Sequence, residues 1–213
     1  MTSIADLRRE FTRAGLDERQ VDEDPVVQFK KWFDEAQTAG FDDPNAMTLA
    51  TVTADGHADA RIVLLKGIEA GGFRFFTNYT SAKAEQLEAR PDAALLFFWG
   101  HLERQVRLRG PVHRLSEAAS DAYFQSRPRG SQIGAWASDQ SSQIAGRQVL
   151  EEEVARLEAL YPEGTPIPRP PHWGGFALMP RGVEFWQGRP SRLHDRILYV
   201  KEGERWRLSR LSA

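Results

Sequence analysis

The chain has 213 residues, with 28 lysines and arginines against 30 aspartates and glutamates, a formal net charge of −2, and no cysteine. This length suffices for one domain with its own core, and the charge balance argues against a protein that binds nucleic acid through many phosphate contacts. Disulfides, thiolate metal sites and a cysteine nucleophile are excluded, and the absence of a long apolar run or an apolar signal core leads us to expect a soluble, cytoplasmic protein.

The first half of the chain predicts one helix followed by short strands. Asp24 followed by Pro25 is typical of a helix start, and apolar residues spaced by three and four from Phe29 predict a helix that ends at Gly40. The elements predicted after it are strands at 46–53, 60–66 and 73–78, a helix at 82–89, and a strand at 93–99 that is apolar throughout and therefore expected to be buried on both faces.

The second half predicts a long two-faced strand, two helices and four more strands. In the strand at 102–115, Val106 and Leu108 share one face, so one side packs on the core and the other is polar. Short antiparallel strands with inserted helices predict a mainly β fold, an antiparallel barrel with peripheral helices. The remaining elements are helices at 116–126 and 141–161, a stiff proline-rich connection at 165–171, and strands at 175–179, 183–187, 196–201 and 205–211.

Residues 184–196 hold a dense cluster of groups that bind anions or move protons. If this segment is a strand, Arg192, His194 and Arg196 point to one face. Such groups repel one another unless they hold an anion, which predicts a site for an acidic, phosphorylated small molecule. The alternative is a solvated edge strand whose arginines pair with Asp195 and nearby glutamates. Both interpretations stay open on this segment alone.

Two further segments are typical of phosphate-binding sites. Residues 77–83 end a strand and open a helix, where free N–H groups favour an anion. Lys83 lies in the first turn, which the helix dipole makes unfavourable for a cation. Arg127, Arg129 and Ser131 lie in a segment predicted to be an irregular loop, where two guanidinium groups and a hydroxyl suit a second phosphate. The alternatives are ordinary helix capping and a basic surface loop.

Other groups add one possible contact and no metal site. Arg61 and Lys66 lie at the two ends of an apolar strand, about 16 Å apart if the strand is regular, so one extended ligand could contact both. The alternative is a pair of cations that snorkel at strand ends. The five histidines are scattered without ligand spacing, so chemistry borrowed from an organic cofactor fits the chain better than metal or hydrolytic chemistry.

These segments, in this order, resemble the pyridoxamine 5'-phosphate oxidase family over nearly the whole chain. The motifs that carry the resemblance are residues 61–66, 102–106, 126–136, 140–142, 173–176, 184–188 and 192–196. The resemblance implies an FMN-binding split β-barrel over residues 21–213, preceded by a mobile arm or lid at 1–20. It also implies a homodimer with two FMN molecules in clefts between the subunits.

The same resemblance implies the activity and the residues that perform it. The family oxidises pyridoxamine 5'-phosphate and pyridoxine 5'-phosphate with O2 to pyridoxal 5'-phosphate, releasing H2O2, and NH3 from the amine. Arg192 and His194 are implied as the catalytic pair over the substrate ring, and no metal is implied. The implied FMN contacts are Arg61, Ile62, Val63, Leu64, Leu65, Lys66, Phe76, Thr77, Lys83 and Gln105 from one subunit, with Gln140, Ser141, Trp186 and Arg196 from the other. The implied substrate contacts are Arg8, Lys66, Tyr123, Arg127, Ser131, Arg192 and His194.

Three positions depart from the family pattern. Ala82 stands where the family often has arginine, which removes one contact to the FMN phosphate, so we expect weaker cofactor binding or compensation by another cation. Phe11 and Phe76 each stand where a tyrosine is common. Two alternative functions remain: a related split-barrel flavin oxidase with another substrate, such as those of phenazine synthesis, and a non-catalytic flavin or pyridoxal-phosphate carrier. Neither needs both the phosphate clamp and the pair Arg192 and His194.

Overall fold

The computed structural model describes Ile4, Phe11 and residues 15–213. Within these residues the helices are α1 (Pro25–Thr38), α2 (Ala82–Ala89), α3 (Glu117–Ser126), α4 (Arg129–Ala137) and α5 (Arg147–Leu160). The strands are β1 (Ala46–Val52), β2 (Ala58–Leu64), β3 (Gly67–Glu69), β4 (Gly72–Asn78), β5 (Asp92–Trp99), β6 (Arg104–Arg114), β7 (Trp173–Leu178), β8 (Gly182–Gln187), β9 (Asp195–Glu202) and β10 (Arg205–Leu211). None of the helices in this part of the chain has the length and apolarity needed to cross a bilayer.

All strand pairs are antiparallel, and the sheet curls because β6 serves two branches. One branch runs in the order β10-β9-β8-β6-β5-β1-β2, while β7 joins the far end of β6 and continues to β4 and β3. The change of neighbour occurs around Gly110: Arg109 is paired with Gly182 of β8, and Val112 with Leu178 of β7. A side chain at Gly110 would lie 2.1 Å from the Met179 carbonyl oxygen, so only glycine permits this crossing. The predicted antiparallel split barrel is confirmed.

Helix α1 packs its apolar face into the barrel, as its sequence predicts. The Asp24 carboxylate accepts the Val26 N–H at 2.8 Å and so caps the first turn. The Phe29 ring lies 4.9 Å from both Phe73 and Phe97, and all three are fully buried. Burial of each such side chain stabilises the fold by about 1.5–3 kcal/mol. The helix therefore closes the barrel core from one side.

The segment 15–20 lies against the last two strands. The Leu16 side chain is buried, and its N–H donates to the Asp195 carboxylate at 2.9 Å. The Arg210 guanidinium donates to the Leu16 carbonyl at 2.9 Å and pairs with Glu18. The start of the main domain is thereby tied to β9 and β10. Arg8 and most of the predicted arm lie outside the described residues.

The prediction that β5 is buried on both faces is wrong. Along β5, buried residues alternate with partly or fully exposed ones, and Phe98 is 64 % exposed. An apolar strand cannot tell from its own sequence whether its outer face is covered within the chain or by something else. Ile62 on β2 is exposed to 63 %. The sheet therefore presents apolar side chains outward.

Two predictions about the helical region are also wrong. The segment expected to be an irregular loop after Arg127 contains helix α4, whose Gln132 and Ile133 are buried; its glycines hid the helical pattern. The next helix begins at Arg147 rather than at residue 141. Ser141 has φ of +80°, in the left-handed region that cannot start a right-handed helix. Ser141 is therefore free to contact another element instead of capping α5.

Candidate active site

A cleft of about 550 Å³ opens between β2, β4, the start of α2, and the pair α3 and α4. It unites segments that are far apart in the sequence because β4 pairs with β7 and carries α2 at its end. Of the predicted cofactor contacts, the cleft wall contains Ile62, Val63, Leu64, Lys66, Phe76, Thr77, Lys83 and Gln140. Of the predicted substrate contacts, it contains Lys66, Tyr123, Arg127 and Ser131.

One end of the cleft is a cationic pocket at the N-terminus of α2. The Lys83 ammonium donates to the Gln140 side-chain oxygen at 2.8 Å and to the Thr77 hydroxyl at 3.2 Å. The Ala82 N–H donates to the Ser141 hydroxyl at 3.2 Å. Burial, and then the nearby Arg61 charge, lower the pKa of Lys83. An anion here would offset the repulsion between the two cations and lie near the positive end of the helix dipole.

Arg61 and Leu65 do not line the cleft directly. The Leu65 side chain is buried in the core, and its backbone bonds to Asn45. The Arg61 side chain is 18 % exposed and pairs with Asp59 on its own strand. Leu65 still lies between Leu64 and Lys66, which line the cleft, and the Arg61 charge acts on Lys83, which also lines it. Within the motif at 61–66, four residues therefore line the cleft, Leu65 packs in the core, and Arg61 lies behind the cleft in an ion pair.

The other end of the cleft holds an arginine without an anionic partner. The Arg127 guanidinium lies 4.5 Å from the centre of the Trp173 ring. Its Nη1 is buried and has no hydrogen-bond partner in the part of the chain that the structure describes. Burial lowers the pKa of Arg127 and raises the pKa of Tyr123 beside it. An unpaired buried polar group costs about 1–3 kcal/mol, so this position is suited to an anionic ligand that would satisfy it.

Arg129 does not join Arg127 in the cleft, contrary to the sequence interpretation. Its guanidinium turns away and donates to the carbonyls of Tyr161, Pro162 and Thr165. The reason is that Arg129 begins α4, so the helix directs it and Ser131 to different sides. Arg129 holds the helical region together, and Ser131 remains with Arg127.

Aromatic rings form the floor near Arg127. Phe76 and Tyr123 are stacked with centroids 3.8 Å apart, and Trp173 stacks on Phe76 at 5.5 Å. Sequence reasoning gave no site role to Trp173 or to Asn78, which also lines the cleft. In the sequence, the signal that could have pointed to Trp173 is the pair of glycines that follows it. The structure explains these glycines, because a side chain at Gly174 would lie 2.1 Å from the Tyr79 hydroxyl. Such close packing marks the wall of a shaped site.

Gln105, Trp186 and Arg196 form a separate row on the outer face of the sheet. Gln105 is paired with Trp186, and Trp186 with Arg196, across β6, β8 and β9. Strands β6 and β2 are three steps apart in the sheet, or about 14 Å at the usual strand spacing. The structure thus groups Gln140 and Ser141 with Lys83, and Gln105 with this outer row. How these residues are divided between two subunits stays a prediction.

The condition under which Arg192, His194 and Arg196 would share one strand face is not met. Pro190–Arg192 form a short 3-10 turn, in which Ser191 and Arg192 have φ of +56° and +61°, and β9 begins only at Asp195. Proline lacks the N–H that a strand ladder needs, so the chain leaves the sheet there. Only Arg196 is part of the strand. Arg192 is exposed at the turn.

His194 packs beside the outer row rather than in the cleft. Its ring lies 4.6 Å from Trp186 and 5.5 Å from Phe11. The Arg189 N–H lies 3.2 Å from Nδ1 of His194, so Nδ1 accepts and the neutral ring carries its proton on Nε2. The predicted site residues thus fall into two separate groups, one in the cleft and one on the surface around Trp186.

Glu184 supports the outer row through a buried ion triad. Its carboxylate, 6 % exposed, accepts from Arg196 at 2.9 Å and pairs with Arg107 on its other side. Burial acts to raise the pKa of Glu184, but the hydrogen bonds from Arg196 and Arg107 outweigh it, and the net pKa is lowered. The triad therefore depends on the ionised carboxylate and fixes the Arg196 side chain.

We expect Glu184→Gln to lower the free energy of unfolding of the cofactor-free protein by about 1.5 kcal/mol at pH 7, because the buried carboxylate loses its charge-assisted hydrogen bonds to Arg196 and Arg107, while these arginines, 29 % and 52 % exposed, stay partly solvated. Since the folded-state pKa lies below the unfolded value of about 4.3, the wild-type advantage is present above that pH and is lost as pH falls through the folded value. Urea unfolding from pH 7 to pH 3 at constant protein concentration measures this. Glu85→Gln, on the exposed face of α2, is the control; a difference that persists at pH 3 would contradict the charge argument.

Comparison with known proteins identifies this arrangement. Residues 33–161 match the family model described as pyridoxamine 5'-phosphate oxidase, and residues 173–213 match that of the pyridoxine 5'-phosphate oxidase C-terminal dimerisation region. The pyridoxine/pyridoxamine 5'-phosphate oxidase of Rubrobacter xylanophilus is 57 % identical over 98 % of this chain and 95 % of its own length. The one from Cupriavidus necator is 57 % identical over the full length of both.

Solved structures share the fold. PhzG from Burkholderia lata, in complex with tetrahydrophenazine-1-carboxylic acid, superposes with a TM-score of 0.89 at 29 % identity, over 96 % of this chain and all of that one. A pyridoxamine 5'-phosphate oxidase-related, FMN-binding protein from Nostoc punctiforme superposes at 0.72 with 19 % identity, over 89 % of this chain and 98 % of that one. Fold and cleft thus define a split-barrel oxidase. The chain belongs to the pyridoxamine 5'-phosphate oxidase family.

Proposed function

We propose that the protein is a homodimeric, FMN-dependent oxidase of pyridoxamine 5'-phosphate and pyridoxine 5'-phosphate, with pyridoxal 5'-phosphate as product. Oxygen is the electron acceptor, and H2O2 and, from the amine, NH3 are released. The observation that carries the proposal is the buried Nη1 of Arg127, which has no partner among the described residues and lies in the same cleft as the Lys83 pocket. Two anion sites in one cleft suit a phosphorylated cofactor and a phosphorylated substrate side by side.

The pocket at the start of α2 suits the phosphate of FMN. Lys83 supplies a charge, Thr77 and Ser141 supply hydroxyls, and the N-terminus of α2 supplies the positive end of the helix dipole. A phosphate would favour the charged form of Lys83 and so offset the lowering of its pKa. When bound, FMN supplies the electron acceptor for oxidation of the substrate and passes the electrons to O2. Ile62 and Leu64 offer an apolar wall for its ring system.

The pocket around Arg127 suits the phosphate of the substrate. Arg127 and Lys66 supply charge, and the Tyr123 and Ser131 hydroxyls supply donors. The charge on Arg127 lies over Trp173 and cannot swing freely, so the phosphate position is defined before binding. Holding the substrate phosphate at one end orients the ring at the other, and such orientation supplies much of an enzyme's rate.

A second copy of the chain completes the site in this proposal. The outer row of Gln105, Trp186 and Arg196 and the neighbouring His194 do not line the cleft of their own chain. Strand pairing places the outer row on the same face of the sheet as Ile62 of the cleft wall. Exposed apolar side chains on the same sheet, including Ile62 at 63 % and Phe98 at 64 %, need a cover. The match of residues 173–213 to a dimerisation region supports the homodimer. Arg192 and His194 would orient the substrate ring and assist proton movement at the reacting carbon.

A phenazine-type substrate is the second candidate, favoured by the superposition on PhzG. The tetrahydrophenazine-1-carboxylic acid named in that complex has no phosphate, whereas this cleft has two cationic pockets. To test the proposal, we would incubate the purified protein with FMN and pyridoxine 5'-phosphate in air and follow aldehyde and H2O2. Equal amounts of both are expected. Bound FMN without vitamer binding would favour the other substrate, and both bound without product would favour a carrier.

We expect Ala82→Arg to tighten FMN binding about fivefold, since one exposed charge-assisted contact contributes roughly 1 kcal/mol. Ala82 is exposed at the start of α2, where its N–H already faces Ser141. Riboflavin, which lacks the phosphate, is the control ligand, and its affinity should change less than about twofold. Fluorescence titration measures both. A gain shared by riboflavin would show that the new side chain contacts the ring or ribityl chain instead.

A further inference from the structure

Behind the cationic pocket of α2 lies a polar network whose centre is Gln86. The Gln86 side-chain oxygen accepts from Arg61 at 3.0 Å and from the Thr51 hydroxyl, and its NH2 group donates to Asp59 at 2.9 Å. Its carboxamide thus joins β1, β2 and α2 at one point. Thr51 is buried, and Arg61 is 18 % exposed. These bonds are sheltered from competition with water, which makes them effective in holding geometry.

This network determines where the Arg61 charge lies. One terminal nitrogen of Arg61 bonds to the Leu49 carbonyl at 3.2 Å and to Thr51, and the other bonds to Asp59 and Gln86. The guanidinium is thereby held close enough to Lys83 to lower the pKa of that lysine. Asp59 offsets part of the repulsion between the two cations but less than all of it, and a bound anion would remove the rest. Lys83 lies one turn before Gln86 on the same helix, so the Gln86–Arg61 bond links the helix that carries Lys83 to the strand that carries Arg61.

We propose that Gln86 is a positioning residue for the phosphate of the cofactor: through its bonds to Arg61 and Asp59, it fixes the spacing between the Arg61 and Lys83 charges. The inference rests on the proposed FMN site at the start of α2. It gains weight from Ala82, which leaves this pocket with fewer cations than the family pattern has. With fewer charges, the site depends more on holding the remaining ones in place, because pre-organised groups lose less freedom on binding.

Binding of FMN and of riboflavin to the dimer distinguishes this role from a general structural one, since the two ligands differ only in the phosphate. We expect wild type to prefer FMN, and Gln86→Leu to reduce that preference about tenfold while riboflavin affinity changes less than about twofold. Glu85→Gln on the exposed face of the same helix is the matched control and should leave both affinities unchanged. Flavin fluorescence gives the dissociation constants, and circular dichroism checks the fold.

A double-mutant cycle with Arg61→Ala tests the route. If Gln86 acts through Arg61, Gln86→Leu should cause no further loss of FMN preference once Arg61 is removed. Thr51→Val, which removes one of the bonds to Gln86, should reduce the preference for FMN over riboflavin about threefold. It replaces Gln86→Leu as the test variant if Gln86→Leu does not fold.

Three results would overturn the inference: an unchanged preference in both variants, equal losses for FMN and riboflavin, or a full additional loss in the Arg61→Ala background. A wild type that binds both flavins equally would overturn the proposed phosphate pocket itself. That outcome is distinct from a wild type that prefers FMN while the Gln86 and Thr51 variants keep the preference, which would overturn the role of Gln86 alone.

Discussion

Arg127→Leu should raise the KM for pyridoxine 5'-phosphate about 100-fold, because a bidentate contact from a half-buried guanidinium to a phosphate contributes about 2–3 kcal/mol. Leucine retains packing on Trp173, on which the guanidinium now lies. The thermal stability should change little or rise, since the variant removes a buried nitrogen that has no partner among the described residues. Steady-state kinetics and thermal unfolding measure the two effects.

Arg129→Leu is the matched control for Arg127→Leu, because it removes the same group two residues away. Arg129 bonds to carbonyls of the connection after α5 and does not line the cleft. It should therefore lower the melting temperature and leave the KM within about twofold, the opposite of the first variant. The KM for unphosphorylated pyridoxine is a second check. Arg127→Leu should change this KM little, because that substrate has no phosphate. An equal rise in KM for both substrates would place Arg127 away from the phosphate.

Arg192→Met should lower turnover about 100-fold while FMN affinity changes less than about twofold. In the proposed dimer this guanidinium lies over the substrate ring, where it favours the charge that develops in the transition state, an effect typically of about 3 kcal/mol. Arg192 is exposed on a turn outside the core, so its loss should not disturb folding. Rapid-mixing measurement of flavin reduction isolates the chemical step from reoxidation of the flavin by O2 and from product release.

The control for Arg192→Met is Arg205→Met, which removes a cation exposed at the start of β10. Turnover in this variant should equal that of wild type. Equal losses of turnover and FMN affinity in Arg192→Met would show that the arginine contacts the cofactor rather than the substrate. Dissociation constants for FMN, measured on both variants, decide between these roles.

Local sequence patterns predicted the regular elements well. The Asp24 cap, the apolar stripe of α1, the start of α2 and the alternation along β6 all follow from bonds or spacings within one segment. The structure agrees because each of these features depends on neighbours a few positions away in the chain. Anion binding by 77–83 and by Arg127 was inferred from residue types alone and stays a prediction.

Features that depend on distant parts of the chain were not predictable in this way. Helix α4 was missed because its glycines weaken a local helical signal, while burial of Ile133 in a second core stabilises it. Whether the segment before β9 continues as a strand was left open, because alternation says nothing about where pairing stops. The outward exposure of Phe98 depends on what covers the sheet, and no single segment records that.

By itself, the sequence determined that this chain is an antiparallel split barrel with a family likeness throughout, and it predicted cationic sites for phosphate. Only the tertiary structure decided which of those residues act together. It joined Gln140 and Ser141 to Lys83, separated Arg129 from Arg127, and moved Gln105 to the outer row with Trp186. The physical reason is that secondary structure follows from short-range sterics and hydrogen bonds, whereas a binding site is made by strand pairing and helix packing across the whole chain.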